Sequence, residues 1–315
     1  MQENILKQNL QSAPKVDIEK ERKKQKVFKI IKNILVYTFL TICAALAFLP
    51  FYWMVISSVK SEMEYRQSVP TFFPHTFQIR NFAVVMGSTI GLFGQVLINT
   101  LVVGLISTIV GVIITILTAY ALARLEFKGK NILFSLMLAT MMIPGEMFTI
   151  SNYLTVSKLG WKNSYTVLIV PFLVSVYYIY LLRNNFKQIP NSLYQAAKVD
   201  GLSDMGYLIK VMVPLTAPTL ISVTLLKFIG TWNSYIWPRL VNSSQWQMVT
   251  NWVTNGFSDD GTLNLVDGIP QYGTSMSLET LKMAAAFMVS LPLFILFIAF
   301  RKYIMRGVSK SGTKG

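Results

Sequence analysis

The sequence has 315 residues, of which 53% are hydrophobic and only 14% are charged, and its mean hydropathy is +0.48. A soluble domain carries about 25% charged residues, so the composition excludes a water-soluble globular protein and predicts one that uses the bilayer as part of its solvent. The formal net charge of +15 would suit a nucleic acid, but the Lys and Arg residues lie at the chain ends and in short loops beside apolar runs. That placement is typical of membrane topology signals, and we expect no nucleic-acid partner.

A basic, polar segment precedes the first apolar run. Residues 1–33 are predicted to form a cytoplasmic tail, in which residues 19–26 are almost all charged. A cleaved signal peptide is not expected, because the polar stretch is too long and no small-residue cleavage site follows the next apolar run. The segment predicts either a disordered tail or a juxtamembrane helix on anionic cytoplasmic lipid.

Six apolar segments predict six transmembrane helices and therefore an all-α membrane protein. Each segment reaches the roughly 20 residues that a membrane-spanning helix needs, the fourth only just. The segments are residues 34–57, 96–122, 132–153, 165–182, 208–237 and 281–300. They define a predicted membrane domain at residues 34–306, which a cytoplasmic tail at residues 307–315 follows.

The charge of the loops predicts the orientation of these helices. Lys and Arg cluster in the first tail and in three further segments, residues 124–130, 183–210 and 301–315. Residues 242–277 contain no basic residue and carry three Asp residues. The positive-inside rule then places both termini in the cytoplasm.

Two long loops are predicted on the outer side of the membrane, at residues 60–94 and 242–277. The first contains Pro70, Pro74 and several aromatic residues, and the second contains Trp246, Trp252, Phe257 and Tyr272. Such aromatic residues are either anchors at the membrane interface or part of a docking surface for an external partner. The sequence leaves both interpretations open.

The chain offers few side chains for bond chemistry. It has one cysteine, Cys43, and one histidine, His75, which argues against a disulfide, a structural metal site and a catalytic cluster. His75 lies in a Pro-rich loop, where we expect it to be solvated. The string closest to a phosphate-binding loop, residues 307–314, has its Thr and Lys in the wrong order. We predict no catalytic residue, metal or cofactor on this chain, so any ATP must bind to another chain.

The most informative pattern lies in the cytoplasmic segment 189–214. Pro190 breaks the descending helix, and Ser192 with Gln195 matches a capping box, in which each side chain pairs with the backbone N–H of the other residue. Ala196 and Ala197 are good helix formers whose small side chains would let another chain come close.

The far end of this predicted helix carries its own signals. Gly201 suits the left-handed conformation that ends a helix, and Ser203 suits the cap of the next one. The pattern predicts a short cytoplasmic helix that is broken from both neighbours. Taken alone, these signals also fit an ordinary connection between two helices.

The spacing of the segment is more specific than its single signals. Gln195-Ala196-Ala197 is followed by Gly201 and then by Val211-Met212-Val213-Pro214. This register resembles the cytoplasmic signature of the permease subunits of bacterial ABC importers, which reads Glu-Ala-Ala, three residues, Gly, nine residues and Ile-x-Leu-Pro. The Val-Asp-Gly at residues 199–201 and the Pro-Leu at residues 214–215 resemble the carbohydrate branch of that family.

Other parts of the chain resemble the same family, from about residue 34 to the C-terminus. The matching strings are residues 49–53 with 57–60, Asn99-Thr100, Trp232-Asn233, and residues 283–286 with 291–292. The ending at residues 307–315 resembles the Gly-rich Lys-Gly tail of the second permease in maltose-type systems. That likeness implies contacts with the ATPase at Gly312, Lys314 and Gly315.

The resemblance implies the type I ABC importer permease fold in a bacterial inner membrane. In this family the short helix docks in a cleft of an ATPase subunit, and closure of the ATPases moves the permease helices. The implied coupling residues here are Gln195, Ala196, Ala197, Asp200, Gly201 and Pro214. The implied partners are a homologous second permease, two ATPase subunits that bind ATP and Mg²⁺, an external sugar-binding protein and membrane lipid.

One coupling position departs from the family pattern. The signature Glu is Gln195 in this chain, which we expect to keep the cap hydrogen bond and to lose any ion pair with the ATPase. An exposed ion pair is worth only about 0–1 kcal/mol, so docking need not suffer. Lys187, Lys198 and Lys210 flank the helix and offer pairing with acidic groups of the ATPase instead.

A sugar path needs hydrogen-bonding side chains and aromatic rings that face a water-filled cavity. The fifth apolar segment offers Trp232, Asn233 and Tyr235, although a Trp and an Asn there also suit an interface anchor and a helix–helix hydrogen bond. Glu146 follows Pro144-Gly145 in the third segment and should face the protein interior or water. The tyrosines at positions 177, 178 and 180 suit packing better than ligand binding.

The leading hypothesis is therefore a permease subunit that moves a sugar into the cell by alternating access. A permease for another solute, such as a peptide or glycerol phosphate, is the first alternative. A phosphate substrate would favour an intramembrane cation, for which Lys227 is the clear candidate. A membrane sensor or scaffold without transport is the second alternative, and the scarcity of His, Cys and intramembrane acids makes a membrane enzyme a poor third.

Overall fold

The computed structural model describes residues 18–87, 90–255 and 278–309, and these ranges contain helices and turns but no β-strand. The prediction of an all-helical fold is confirmed for them. The chain divides into two compact units, residues 1–54 and residues 55–315.

Helix α1 spans Ile18–Ser58, and its residues 18–54 are the described part of the first unit. It begins inside the segment predicted as a tail, so residues 18–33 are helical. Of the two interpretations of that segment, this agrees with a helix and not with a disordered tail. Its side chains from Gln25 to Phe51 are all exposed, and most are apolar. A helix that is apolar all round needs lipid or another protein surface to cover it.

The second unit contains the other helices and four short turns of helix. The helices are α2 (Glu62–Tyr65), α3 (Arg80–Gly87), α4 (Ile90–Arg124), α5 (Lys130–Thr140), α6 (Thr149–Lys158), α7 (Tyr165–Ile169), α8 (Val176–Lys187), α9 (Asn191–Val199), α10 (Asp204–Tyr207), α11 (Val213–Leu215), α12 (Ala217–Trp232), α13 (Ile236–Val241), α14 (Val249–Asn255) and α15 (Leu278–Ser309). The turns are the 3-10 segments Gly145–Phe148, Val170–Phe172 and Ser244–Trp246 and the π segment Leu208–Met212.

The helices that are apolar and long enough to cross a membrane correspond to the six predicted segments. Three are continuous, at Gln25–Ser58, Phe93–Arg124 and Glu279–Tyr303. The other three pass the same test only as bent pairs, which are Lys130–Thr140 with Gly145–Lys158, Tyr165–Phe172 with Val176–Lys187, and Asp204–Leu215 with Ala217–Trp232. The sequence analysis treated each of these three segments as one transmembrane helix and did not predict its break.

Each bend lies at a proline. The first pair bends by 86° where Pro144 precedes a 3-10 turn, and the second bends by 43° after a 3-10 turn that contains Pro171. The third bends by 83° between Pro214 and Pro218, which lie in the first turns of α11 and α12. A proline has no N–H to donate to the preceding turn and its ring crowds that turn, so the helix breaks there.

The buried side chains of the second unit form three clusters. One joins α4, α8, α9 and the α10–α12 region, and its buried members include Leu182, Phe186, Ala197 and Tyr207. A second contains Trp232 and Trp252 together with residues of α4 and α15. The third lies around Val103, Val167 and Trp237. The first cluster holds the short helix α9 against the rest of the second unit.

The two predicted outer loops contain ordered structure. In the first, the Glu64 carboxylate is buried and accepts hydrogen bonds from the Thr71 hydroxyl at 2.6 Å and the His75 backbone N–H at 3.0 Å. The His75 residue itself is exposed, as expected. In the second, Trp252 is fully buried in the core, so it is neither an interface anchor nor a docking residue. Phe257 and Tyr272 lie outside the described residues.

Candidate functional site

Helix α9, at Asn191–Val199, is the predicted short cytoplasmic helix. It ends in a left-handed residue, because Gly201 has φ +76°. The N–H of Leu202 donates to the carbonyl oxygen of Ala197 at 2.9 Å, and the N–H of Gly201 donates to that of Lys198 at 3.1 Å. This pair of bonds is the Schellman motif, which satisfies carbonyl groups at a helix end. The prediction that Gly201 ends the helix is therefore confirmed. The prediction that Ser203 caps the next helix is also confirmed, because its hydroxyl oxygen accepts a hydrogen bond from the N–H of Gly206 at 3.1 Å.

The predicted capping box at Ser192 and Gln195 is wrong. The helix begins at Asn191, and its cap position is Pro190, without a side-chain cap hydrogen bond. Ser192 therefore lies inside the first turn, where it cannot act as the cap. Pro190 is extended, with ψ 141°, and its backbone carbonyl accepts the first bond of the turn from the N–H of Leu193 at 3.2 Å. Gln195 is exposed and takes no part in the cap.

The face of α9 that points away from the second unit is small and partly apolar. Gln195, Ala196 and Asp200 are exposed, and Val199 is 88% exposed. Ala197 instead is 5% exposed and packs inward, so only one of the two predicted alanines belongs to the outer face. The outer face is exposed and available to a partner.

Two arginines join the ends of α4 and α8 next to α9. Arg124 at the end of α4 donates to the carbonyl oxygens of Phe186, at 3.0 Å, and Ile189. Arg183 in α8 donates in return to the carbonyl oxygen of Leu122 at 3.1 Å. The last carbonyls of a helix have no partner within it, and a cation near them is favoured by the helix dipole. The two helices therefore satisfy each other's ends and fix the point where α9 begins.

A polar cluster around Asp204 joins side chains of α9 to the following helix. The Tyr194 hydroxyl donates to Asp204 Oδ1 at 2.8 Å, and Lys198 Nζ lies 2.9 Å from the same atom. The Tyr120 hydroxyl of α4 donates to the backbone carbonyl of Asp204 at 3.1 Å. The hydrogen bond to Asp204 raises the pKa of Lys198. Lys198 thus has an acidic partner within its own chain, whereas Lys187 and Lys210 are exposed and suit an external one.

Pro214, the last residue of the predicted signature, lies just before the break between α11 and α12. The π segment Leu208–Met212 precedes it, and Thr216 follows at the break with its hydroxyl donating to the carbonyl oxygen of Met212 at 2.8 Å. Pro214 is exposed. Its structural effect is to turn the chain by 83° from the α9 region into the fifth apolar segment.

The residues predicted to line a transport path lie in different environments. Asn233 is exposed just after α12, and Tyr235 is half-buried beside Arg239, which donates to its hydroxyl. Trp232 is 1% exposed and packs against Phe228, so it belongs to the core. Glu146 is exposed in the turn between α5 and α6.

The remaining site predictions concern the C-terminal tail and bound groups. Gly312, Lys314 and Gly315 lie outside the described residues. Within residues 18–87, 90–255 and 278–309, no three His, Cys, Asp or Glu side chains come close enough together to hold a metal ion.

The sequence analysis missed most of the polar contacts around α9. It took Arg124 and Arg183 as signals of membrane topology only, and it gave no role to Tyr120, Tyr194 or Asp204. Arg124, Arg183 and Tyr120 share one signal, a polar side chain within one turn of the end of an apolar helix, which is where unpaired backbone groups lie.

The comparisons with known proteins agree with this architecture. The profile of the family described as "Binding-protein-dependent transport system inner membrane component" matches residues 111–310. The arabinooligosaccharides transport system permease protein AraQ of Halalkalibacterium halodurans is 28% identical over 294 residues, which are 93% of this chain and 100% of the relative. The trehalose/maltose transport system permease protein MalG of Thermococcus litoralis is 28% identical over 291 residues, which are 91% and 99% of the two chains.

A solved structure shares the fold over most of its length. It is a bacterial ABC transporter involved in the import of the acidic polysaccharide alginate, with a TM-score of 0.78 and 25% sequence identity over 89% of this chain and 97% of that chain. The family profile covers more than half of the sequence, including α9 and the cluster around Asp204. The chain therefore belongs to the family of binding-protein-dependent transport system inner membrane components, the permease subunits of ABC importers.

Proposed function

We propose that this permease subunit moves a sugar or an oligosaccharide into the cell by alternating access. The observation that carries the proposal is α9, a short helix with a small exposed outer face and both of its ends tied to neighbouring helices. The relatives named for arabinooligosaccharides and for trehalose and maltose support a carbohydrate substrate. The chain itself performs no bond chemistry in this proposal.

The proposed assembly contains a homologous second permease, two ATPase subunits that bind ATP and Mg²⁺, and an external sugar-binding protein. The basic cytoplasmic segments support an orientation with both termini inside the cell, in a bacterial inner membrane. The outer face of α9, formed by Gln195, Ala196, Val199 and Asp200, is the proposed contact with an ATPase. The C-terminal tail residues Gly312, Lys314 and Gly315 are proposed as a second contact.

Motion of α9 would pass into the membrane through its two ends. The paired arginines Arg124 and Arg183 join its beginning to α4 and α8. Asp204 joins its side chains to α10, the start of the fifth apolar segment. A push on α9 would therefore displace the second, fourth and fifth apolar segments together, which is what a change of access from one side of the membrane to the other requires.

The environment of Lys227 favours a sugar over a phosphate substrate. This lysine is 6% exposed, and its ammonium group donates to two backbone carbonyl oxygens. These two bonds use two of the three N–H donors of the ammonium group, and its burial leaves little surface that a phosphate group could reach. Asn233 and Tyr235 stay as proposed contacts along the sugar path, together with Glu146, whereas the burial of Trp232 removes it from that set.

A test of the ATPase contact uses Val199, the most exposed apolar residue of α9. We expect Val199→Glu to reduce co-purification of the ATPase and uptake of radiolabelled oligosaccharide, because a charge would enter a closely packed contact. The matched control is Val69→Glu, which makes the same change at an apolar residue that is 77% exposed in the first outer loop. Normal co-purification and uptake in Val199→Glu would contradict the docking role of α9. Absence of sugar uptake in cells that carry the wild-type chain would contradict the proposed function.

A further inference from the structure

Lys227 lies in the middle of the fifth apolar segment, in helix α12, and its side chain is buried. Its Nζ donates to the carbonyl oxygen of Phe172 at 2.8 Å and to that of Leu173 at 3.3 Å. An ammonium group inside an apolar segment is costly unless it is paired, hydrogen-bonded or in water. The two carbonyl oxygens supply hydrogen-bond partners for it.

The two carbonyls belong to the break in the fourth apolar segment. Phe172 ends the 3-10 turn Val170–Phe172, and α8 begins at Val176 with a change of direction of 43°. Carbonyl groups at the end of a helical stretch lack a following N–H. In a membrane such groups must be satisfied by the protein, and Lys227 does this from another helix.

The contact also includes a third apolar segment, at Gly111 of α4. A β-carbon at position 111 would lie 2.2 Å from Lys227 Cε and 2.7 Å from the carbonyl oxygen of Leu173. Both distances are far below a van der Waals contact, so only glycine leaves room for the lysine side chain and the carbonyl together. The second, fourth and fifth apolar segments therefore meet at this point.

The position of Lys227 along the chain closes a loop around the proposed coupling helix. From Phe172 the chain runs through α8 to α9, and from α9 it returns through α10 and α12 to Lys227. The two arms are also joined near their cytoplasmic ends, where Asn185 Nδ2 donates to Thr219 Oγ1 at 2.9 Å. Without the Lys227 contact, the two joined arms could pivot at the 43° break without moving the helix before it.

We propose that Lys227 is a positioning residue for transport. It ties the break in the fourth apolar segment to the second and fifth segments, so that motion of α9 reaches α7, the helix before the break. This inference rests on the proposed function of the chain. In it, Lys227 does not touch the sugar. Loss of the contact would leave ATP hydrolysis in place and uncouple it from uptake.

The test measures sugar uptake by cells and ATP hydrolysis by the purified complex for Lys227→Met, which keeps the length of the side chain and removes the donor. The probes are radiolabelled arabinooligosaccharides and maltooligosaccharides. A probe that the wild type takes up is chosen first and is then used for every variant. We expect the maximal rate of uptake to fall about tenfold or more, with an unchanged KM for the sugar and with ATP hydrolysis retained. We expect Lys227→Gln, which keeps an N–H donor, to recover part of the uptake.

Two matched controls and a second variant keep the test decisive. Lys128→Met changes an exposed lysine on the loop after α4 and should leave uptake unchanged. Gly111→Ala should uncouple uptake from ATP hydrolysis as Lys227→Met does. If Lys227→Met fails to assemble, Gly111→Ala decides the question. Gly94→Ala in the same helix, where a β-carbon would meet nothing within 4 Å, should behave as the wild type.

Three results would overturn the inference. Normal uptake in Lys227→Met, or in Gly111→Ala when only that variant assembles, would show that the contact is not needed. A raised KM with an unchanged maximal rate would make Lys227 a substrate ligand instead. Equal uptake by Lys227→Gln and Lys227→Met would exclude the hydrogen bond as the cause. Absence of uptake in the wild type would count against the proposed function and not against the contact.

Discussion

At the scale of single residues, the backbone of Gly201 ends α9 and the side chain of Asp204 holds the helix in its orientation. Gly201 has φ +76°, a conformation that costs other residues roughly 1–2 kcal/mol. A β-carbon there would meet nothing within 4 Å, so the requirement for glycine is conformational and not steric. Asp204 then draws Tyr194 and Lys198 towards α10, which fixes the rotation of α9 about its axis.

The first prediction concerns Gly201→Ala. We expect amide hydrogen exchange in residues 191–199 of the purified complex to become about 5–30-fold faster, the factor that corresponds to about 1–2 kcal/mol of backbone strain. Gly201→Asn should show a smaller change, because Asn adopts the left-handed conformation more readily. Gly145→Ala is the control, since it also lies in open space but without a positive φ; a change of equal size there would contradict the argument.

At the scale of elements, the helices of the second unit are joined by cations that satisfy carbonyl groups at breaks and ends. Arg124, Arg183 and Lys227 all donate to backbone carbonyl oxygens of another helix. Arg183 also lies over the ring of Phe134, with its guanidinium carbon 3.6 Å from the ring centre, so it adds α5 to the same group of helices. Bent and short helices can be stable in a membrane protein because such side chains satisfy their free backbone groups.

The second prediction concerns the two arginines. We expect Arg124→Met and Arg183→Met each to lower the thermal midpoint of the purified complex and the rate of uptake, because a buried carbonyl left unsatisfied costs about 1–3 kcal/mol. Differential scanning fluorimetry and uptake in cells measure the two effects. Lys128→Met, an exposed cation on the loop after α4, should change neither. Stability unchanged by both arginine variants would show that these bonds contribute little.

At the scale of the whole molecule, the charges of the loops support the proposed orientation of the helices in the membrane. Lys and Arg cluster in residues 124–130 at the end of α4 and in residues 183–210, which contain α9. Residues 242–277 have neither Lys nor Arg. The proposed orientation would place the outer face of α9 in the cytoplasm, where the proposed ATPase would be. Orientation and proposed function therefore depend on each other.

The third prediction tests this orientation by cysteine labelling. In a Cys43→Ser background, we expect a membrane-impermeant maleimide to label Met63→Cys in intact spheroplasts, because Met63 lies in the first outer loop and is 82% exposed. Lys128→Cys, on the loop after α4, should be labelled only after the membrane is permeabilised. Labelling of Lys128→Cys from outside would reverse the proposed orientation.

The sequence by itself determined the features that depend on neighbours along the chain. Six apolar segments, the helix end at Gly201, the cap at Ser203 and the register from Gln195 to Pro214 all follow from local hydrophobicity, backbone conformation and spacing. The positions of the prolines are also part of the sequence. They did not show which segments would bend, or that three of the six would bend by 43° to 86°. The bend at a proline depends on whether the surrounding helices supply partners for the freed backbone groups.

Only the tertiary structure decided the contacts between residues far apart in sequence. Arg124 meets a carbonyl 62 residues away, Lys227 meets one 55 residues away, and Trp232 is placed in a core shared with α4, α14 and α15. The start of α9 at Asn191 was also misjudged, because Pro190 and the packed end of α8 outweigh the capping preference of Ser192. Local signals mark where a helix can begin or end, whereas burial and long-range hydrogen bonds select among those places and assign each polar side chain its partner.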